Sequence, residues 1–88
     1  MKYTILDFWT NEFIGLKDID TIEDVYIKFD ANCFMVRDNQ CKDASVEDIK
    51  YWFQDSSLIT DEIAKEISKC EHQIEIAPNK YGKTGVDV

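Results

Sequence analysis

A cysteine and a histidine two positions apart are the residues in this sequence that come closest to a reactive pair. Cys70 and His72, the single histidine, would supply a nucleophile and its base if they lay on one face of a strand. They would also supply two zinc ligands, but a structural zinc site needs four, and Cys33 and Cys41 are too far apart to complete a motif. We therefore expect no metal site, with His72 and the thiols in structural roles.

The other patterns that carry catalysis or bind a cofactor do not occur. The sequence has neither a G-x-S-x-G nucleophile motif nor a glycine-rich phosphate loop, and it has only three glycines. The acids between Asp18 and Asp24 lack the D-x-D-x-D-G spacing of a calcium loop. A chain of 88 residues also struggles to enclose a substrate pocket of ~300 Å³ or more. The sequence predicts a protein that is not an enzyme and holds no cofactor.

Negative charge is the strongest functional signal in the sequence. Eighteen acidic and ten basic residues give a net charge of −8. This balance opposes direct binding to nucleic acid, which needs clustered lysine and arginine, and it opposes binding to an anionic membrane surface. A basic protein partner would be attracted and steered to such a surface. The alternative is that the carboxylates only keep a small protein in solution.

Cysteine usage and the opening segment indicate the compartment. Three cysteines without a C-x-x-C pair leave at least one thiol free in a monomer, as is typical of a reducing environment. Lys2, Thr4 and Asp7 interrupt the opening residues, so no signal-peptide core forms, and no stretch reaches the ~20 apolar residues that span a bilayer. We predict a cytoplasmic protein (host cytoplasm if the source is viral) that is a monomer or a homodimer.

Four segments have the composition of β-strands. Residues 2–9 and 13–16 are rich in β-formers and flank a three-residue polar break, which predicts a hairpin. Residues 33–36 form a short apolar run of strand length. At residues 72–77 the alternation of Ile74 and Ile76 with polar residues favours a last strand, and a continued helix is the alternative.

Three segments begin with helix-capping patterns and continue with apolar residues at helical spacing. The starts are predicted at Asp20, at Ser45, and at Thr60 or Asp61. The apolar faces are Ile22, Val25, Tyr26 and Phe29 in the first helix, Val46, Ile49, Trp52 and Phe53 in the second, and Ile63, Ile67, Cys70 and Ile74 in the third.

Together these elements predict one α+β domain over residues 1–78, in the order β-β-α-β-α-α with a possible final strand. A small antiparallel sheet, the hairpin plus one or two further strands, would pack against two or three helices. Residues 79–88 contain two glycines and little apolar content, and we expect a flexible tail there.

The acids are densest where the helices are predicted to begin. The helix dipole explains part of this pattern, because it favours negative charge at a helix start. The second interpretation is that these carboxylates contact a partner. Tyr51 lies off the apolar stripe of its helix and is a candidate hot spot, with partial burial at the core edge as the alternative. The predicted contacts are Asp18, Asp20, Glu23, Asp24, Glu47, Asp48, Tyr51, Asp55, Asp61 and Glu62.

In length and charge the chain is similar to small acidic inhibitors that occupy the basic groove of a nucleic-acid-handling protein. Phage-encoded inhibitors of host defence enzymes and immunity proteins against nuclease toxins are of this kind. The resemblance lies in those two properties and transfers no residue. It implies an inhibitor that presents carboxylates where phosphates would sit, with a nuclease or another nucleic-acid-binding protein as the partner. The alternative is a small accessory or adaptor module that binds through an apolar, aromatic face.

Overall fold

The computed structural model describes residues 1–29 and 31–78, which form a four-stranded sheet and three helices. The elements are β1 (Lys2–Asp7), β2 (Phe13–Asp18), α1 (Asp24–Phe29), β3 (Ala31–Asp38), α2 (Val46–Trp52), α3 (Asp61–Lys69) and β4 (His72–Pro78). The α+β class and the order β-β-α-β-α-α-β are confirmed, and residues 72–77 belong to a strand. The predicted tail at 79–88 lies outside the described residues.

The sheet is mixed, and in this respect the prediction of an antiparallel sheet was wrong. Its strand order is β2-β1-β4-β3. The hairpin strands β1 and β2 are antiparallel, as are β3 and β4, but β4 runs parallel to β1. A parallel pair needs a long crossover connection, and the chain between β1 and β4 contains all three helices.

Alternate residues of β1 point to opposite faces of the sheet and enter two separate cores. Leu6 packs with Phe13 and with Ile49 and Ile67, which lie on α2 and α3. Ile5 packs instead with Val25 of α1 and with the isoleucines of β4. The helices therefore cover both faces, α2 and α3 on one and α1 on the other. Fully burying one such aliphatic side chain stabilises a protein by roughly 1.5–3 kcal/mol.

Two of the three predicted helix caps form. The hydroxyl of Ser45 accepts a hydrogen bond from the Asp48 N–H at 3.1 Å, and Thr60 accepts one from the Ile63 N–H at 3.2 Å. The prediction that Asp20 caps the first helix was wrong, because α1 begins only at Asp24. Tight i→i−3 backbone bonds precede it, as from the Asp24 N–H to the Thr21 carbonyl, and these bonds already satisfy the first donors.

The end of α3 explains why Ile74 does not extend the helical apolar face as predicted. The side-chain Nδ2 of Asn39 donates to the carbonyls of Ile67 at 2.7 Å and Cys70 at 2.9 Å, so the helix ends on a partner from a distant loop. Its Oδ1 accepts from the Cys41 N–H at 2.9 Å, which fixes that loop as well. Ile74 is consequently buried in β4 instead.

No helix within the described part of the chain has the length and apolar content needed to cross a bilayer.

Candidate functional site

The helix directions decide where the predicted contact residues lie. Phe53, at the end of α2, packs against Phe13, which opens β2 beside the hairpin loop (residues 8–12). The end of α2 is therefore at the hairpin-loop end of the sheet. Lys50 near the end of α2 pairs with Asp61 at the start of α3, so α3 runs back in the opposite direction. The starts of α1 and α2 lie at the other end of the sheet, on opposite faces.

The predicted carboxylates consequently form three groups rather than one continuous stripe. The group around the start of α1 contains Asp18, Asp20, Glu23 and Asp24. Glu47 and Asp48 lie at the start of α2, across the sheet from the first group. The third group, with Asp55, Asp61 and Glu62, lies at the hairpin-loop end with Tyr51. All are exposed except Asp24, which is half-buried.

Two of these nine carboxylates are paired within the described residues. Asp18 lies 2.8 Å from the amino group of Met1, and this hydrogen bond lowers the pKa of the carboxyl and raises the pKa of the amine. Asp61 lies 2.7 Å from Lys50 Nζ, which lowers the pKa of Asp61. The other seven make no ion pair with a residue in ranges 1–29 and 31–78.

A groove on the α2/α3 side of the sheet was not predicted from the sequence. Three adjoining cavities of about 360, 450 and 450 Å³ share the hairpin loop as one wall. Asn11 lines all three, and the end of α2 at Trp52 and Phe53 forms the opposite wall of the first two. The third cavity extends over β4 to Arg37 on β3. We call these three cavities together the loop groove.

The hairpin loop owes its shape to one buried carboxylate and one unusual backbone angle. Asp7 Oδ1 accepts from the backbone N–H groups of Trp9 at 2.8 Å and Thr10 at 3.1 Å. Asn11 then adopts a left-handed conformation with φ of 65°, which asparagine tolerates better than most residues. The resulting turn presents Phe8 and Trp9 outward, and their rings meet edge to face with centroids 5.0 Å apart.

Exposed aromatic side chains lie on both sides of the loop groove. Trp9 is 65% exposed on the hairpin loop, and Tyr51 and Trp52 are 68% and 52% exposed at the end of α2. The prediction that Trp52 points into the core was therefore wrong, because α2 ends at this residue and Phe53 takes the inward position. Tyr51 is exposed and does not cover the core edge. Its role in binding stays a prediction.

The charge of the loop groove is predominantly negative. Glu12 and Asp55 line its first cavity, and Asp38 and Glu75 line its third, where Arg37 is the single cationic lining residue among those that the structure describes. Of the predicted contacts, Asp55 is thus the only one that lines this groove. The sequence did carry one sign of the negative charge in this groove. Gln73 and Glu75 alternate with buried isoleucines, which places both polar side chains on the opposite face of β4.

Glu75 is buried within this groove and held by a short network. Its Oε2 accepts from Gln73 Nε2 at 2.7 Å, and the Gln73 Oε1 accepts in turn from the Gln40 backbone N–H at 3.0 Å. The other oxygen, Oε1, lies 3.4 Å from Arg37 Nη1. The Glu75 side chain is only 11% exposed, whereas that of Arg37 is 57% exposed.

The two buried thiols, those of Cys41 and Cys70, have environments unsuited to nucleophilic chemistry. Burial raises the pKa of Cys70, and its Sγ donates to the Glu66 carbonyl at 3.4 Å. His72 Nε2 lies 3.9 Å from Asp38 Oδ1. Burial also raises the pKa of Cys41 to about 11, which keeps this thiol protonated at neutral pH. In the described ranges, no three histidine, cysteine or acidic side chains come together as a metal site would require.

Comparison with known proteins returns no relative for this chain. No protein-family model matches the sequence, and neither the curated proteins nor the solved structures include a match.

Proposed function

We propose that this chain is a non-enzymatic binding protein that inhibits a nucleic-acid-handling protein by occupying its basic nucleic-acid-binding surface. The observation that carries the proposal is the set of seven predicted contact carboxylates that make no ion pair with the described residues. Six of these seven are exposed, so their charge is available to an external cation. The partner is a basic protein such as a nuclease.

The arrangement of these carboxylates supports contact over a wide area. The three carboxylate groups lie at both ends of the sheet and on both of its faces. A partner could contact all of them by surrounding the domain, or some of them by binding one end of it. Lysines and arginines that normally contact phosphates would pair with the carboxylates. Long-range attraction between the net charge of −8 and a basic groove would speed encounter.

A second candidate function is an accessory or adaptor module that binds through its aromatic surface. Trp9, Tyr51 and Trp52 are more than half exposed and lie at the same end of the sheet. Exposed tryptophan and tyrosine are enriched among residues that dominate binding energy in protein interfaces. In this function the acidity would be incidental, and neutralising it would change affinity little.

The test offers the immobilised chain the fraction of a cell lysate that binds DNA-cellulose and is then eluted from it, so that the fraction contains nucleic-acid-binding proteins. Proteins retained at low salt are identified after elution by duplex DNA in one arm and by a salt gradient in the other. Two results together support inhibition. Duplex DNA releases the captured protein, and adding the chain to the purified target abolishes its DNA binding.

Three results would contradict the proposal. One is a captured partner that resists both duplex DNA and high salt, which would favour the adaptor function. Another is a chain that leaves the purified target's DNA binding unchanged. The third is the absence of any retained protein from the DNA-binding fraction.

A further inference from the structure

We infer that the third cavity of the loop groove is a binding pocket for an arginine side chain of the basic partner, with Glu75 as the anion that receives it. The inference rests on the proposed function, because it supplies the basic partner. It extends that function by naming a pocket and one residue type that enters it.

The cavity combines enough room with a buried, oriented carboxylate. It measures about 450 Å³, and its lining includes Phe8, Asn11, Gln40 and Glu75. Gln73 holds one oxygen of Glu75 at 2.7 Å and so fixes the orientation of the carboxylate. A carboxylate accepts several hydrogen bonds, so Oε1 retains capacity for a donor from outside. Away from bulk water, such a pairing is stronger than at an exposed site.

Arg37 shows that a guanidinium can reach this carboxylate but does not hold it firmly. The contact of 3.4 Å exceeds the 2.7–2.9 Å usual for charge-assisted hydrogen bonds. Arg37 approaches from the edge strand β3, and more than half of its side chain is exposed. A partner's guanidinium can therefore replace it at low cost, while Arg37 remains in water.

The chemistry of the lining favours arginine over lysine. A planar guanidinium can donate two parallel hydrogen bonds in the plane of the Glu75 carboxylate, whereas an ammonium group acts as a compact point charge. Phe8 lines the same cavity and offers an aromatic ring, and a cation within ~6 Å of a ring centroid is attracted to its face.

The experiment titrates the whole chain with Nα-acetyl-arginine amide and follows the side-chain amide signals of Gln73 by NMR. We expect saturable shifts, and we expect the lysine analogue to bind more weakly. Glu75→Gln keeps the size of the side chain but removes its charge, and should weaken binding about tenfold, as expected for losing a charge-assisted pair. Arg37→Ala removes the competing internal guanidinium and should tighten binding.

Glu71→Gln is the matched control, since it makes the same change in net charge at an exposed residue that pairs with Lys42. It should leave the titration unchanged. Three results would contradict the arginine pocket. The first is equal affinity for the arginine analogue in Glu75→Gln and in the unaltered chain, and the second is equal affinity for the arginine and lysine analogues. The third is the absence of a shift at Gln73 in both the unaltered chain and Arg37→Ala. The Arg37 variant keeps the test valid if Glu75→Gln does not fold.

The titration involves no partner protein, so its failure is distinguishable from failure of the proposed function. Capture of a DNA-binding protein without binding of the arginine analogue would contradict only the pocket. Binding of the arginine analogue at Gln73 without capture of a DNA-binding protein would contradict only the inhibitory function.

Discussion

The rings of Phe13 and Phe53 pack with centroids 5.8 Å apart and planes inclined at 50°, which joins the first residue of β2 to the end of α2. Both side chains are buried. This contact ties the hairpin loop to α2, and it thereby holds together the two walls of the loop groove.

Replacing Phe53 by alanine should therefore destabilise the protein strongly. Removing a buried phenylalanine typically costs about 3–5 kcal/mol, a large part of the stability of a small domain. Urea denaturation followed by tryptophan fluorescence would measure the loss. Trp52→Ala is the control at the neighbouring, half-exposed position, where we expect a change below about 1 kcal/mol. Equal losses for the two variants would contradict the assigned packing.

Asn39 should be nearly as important, although it is a polar loop residue. Asn39→Ala leaves two carbonyls at the end of α3 and one backbone N–H without their side-chain partner, which we expect to cost about 2–3 kcal/mol. Asn39→Asp keeps the acceptor for the Cys41 N–H but loses both donations, so it should also destabilise. Gln40→Ala serves as the control. Unfolding curves unchanged by both Asn39 substitutions would refute this role.

The three thiols should react with alkylating reagent at very different rates in the folded protein. Cys33 is exposed, whereas Cys41 and Cys70 are buried. With its pKa raised to about 11, Cys41 has a thiolate fraction near one in a thousand at about pH 8. Mass spectrometry during iodoacetamide treatment should find one modification first, at Cys33. Early modification at Cys41 would mean that this core opens readily.

The same burial predicts a loss of stability at alkaline pH. The pKa values of Cys41 and Cys70 are raised on folding, so the unfolded chain releases these protons at lower pH than the folded one. Their contribution is complete below the unfolded pKa near 9.0 and falls as the pH rises toward about 11. Denaturation midpoints measured across this window should decline, and Cys41→Ala should decline less steeply. A flat profile in the unaltered chain would contradict the burial of the thiols.

Binding kinetics should separate the contribution of charge from that of aromatic contact. Neutralising Glu47 and Asp48 together should slow association with the captured partner and weaken its dependence on salt. Trp52→Ala should instead speed dissociation, because packed aromatic anchors mainly lengthen the bound state. Surface plasmon resonance at two salt concentrations would measure both rates. An unchanged association rate in the acid variant would argue against electrostatic steering.

Local features of the fold could be predicted from the sequence because their causes are local. The caps of α2 and α3 depend on Ser45 and Thr60, each with a partner three residues away. Apolar residues at helical spacing likewise identified the three helices, and two runs of β-formers around a polar break identified the hairpin. The predicted cap at Asp20 was wrong because a turn of tight backbone hydrogen bonds satisfies the N–H donors that its carboxylate was expected to accept from.

The remaining features depend on contacts between distant residues. Asn39 ends α3 through carbonyls 28 and 31 residues away, and no periodicity reveals such a bond. The loop groove also combines residues from the hairpin, from α2 and from β4. The alternation in β4 placed Glu75 on the face opposite the buried isoleucines, but it did not place Glu75 in a cavity shared with Phe8. The grouping of the carboxylates followed from the helix directions, which depend on contacts such as that between Phe13 and Phe53.

The parallel pairing of β1 with β4 has a consequence for how the protein is made. Ile5 pairs with Ile74, so the sheet cannot be completed until nearly all of the described chain has left the ribosome. Until then the hairpin has no β4 beside it, and Ile5 lacks its neighbours Ile74 and Ile76. Such distant pairings slow folding, typically to milliseconds or longer. During synthesis, the nascent chain should therefore expose an apolar surface that a chaperone can recognise.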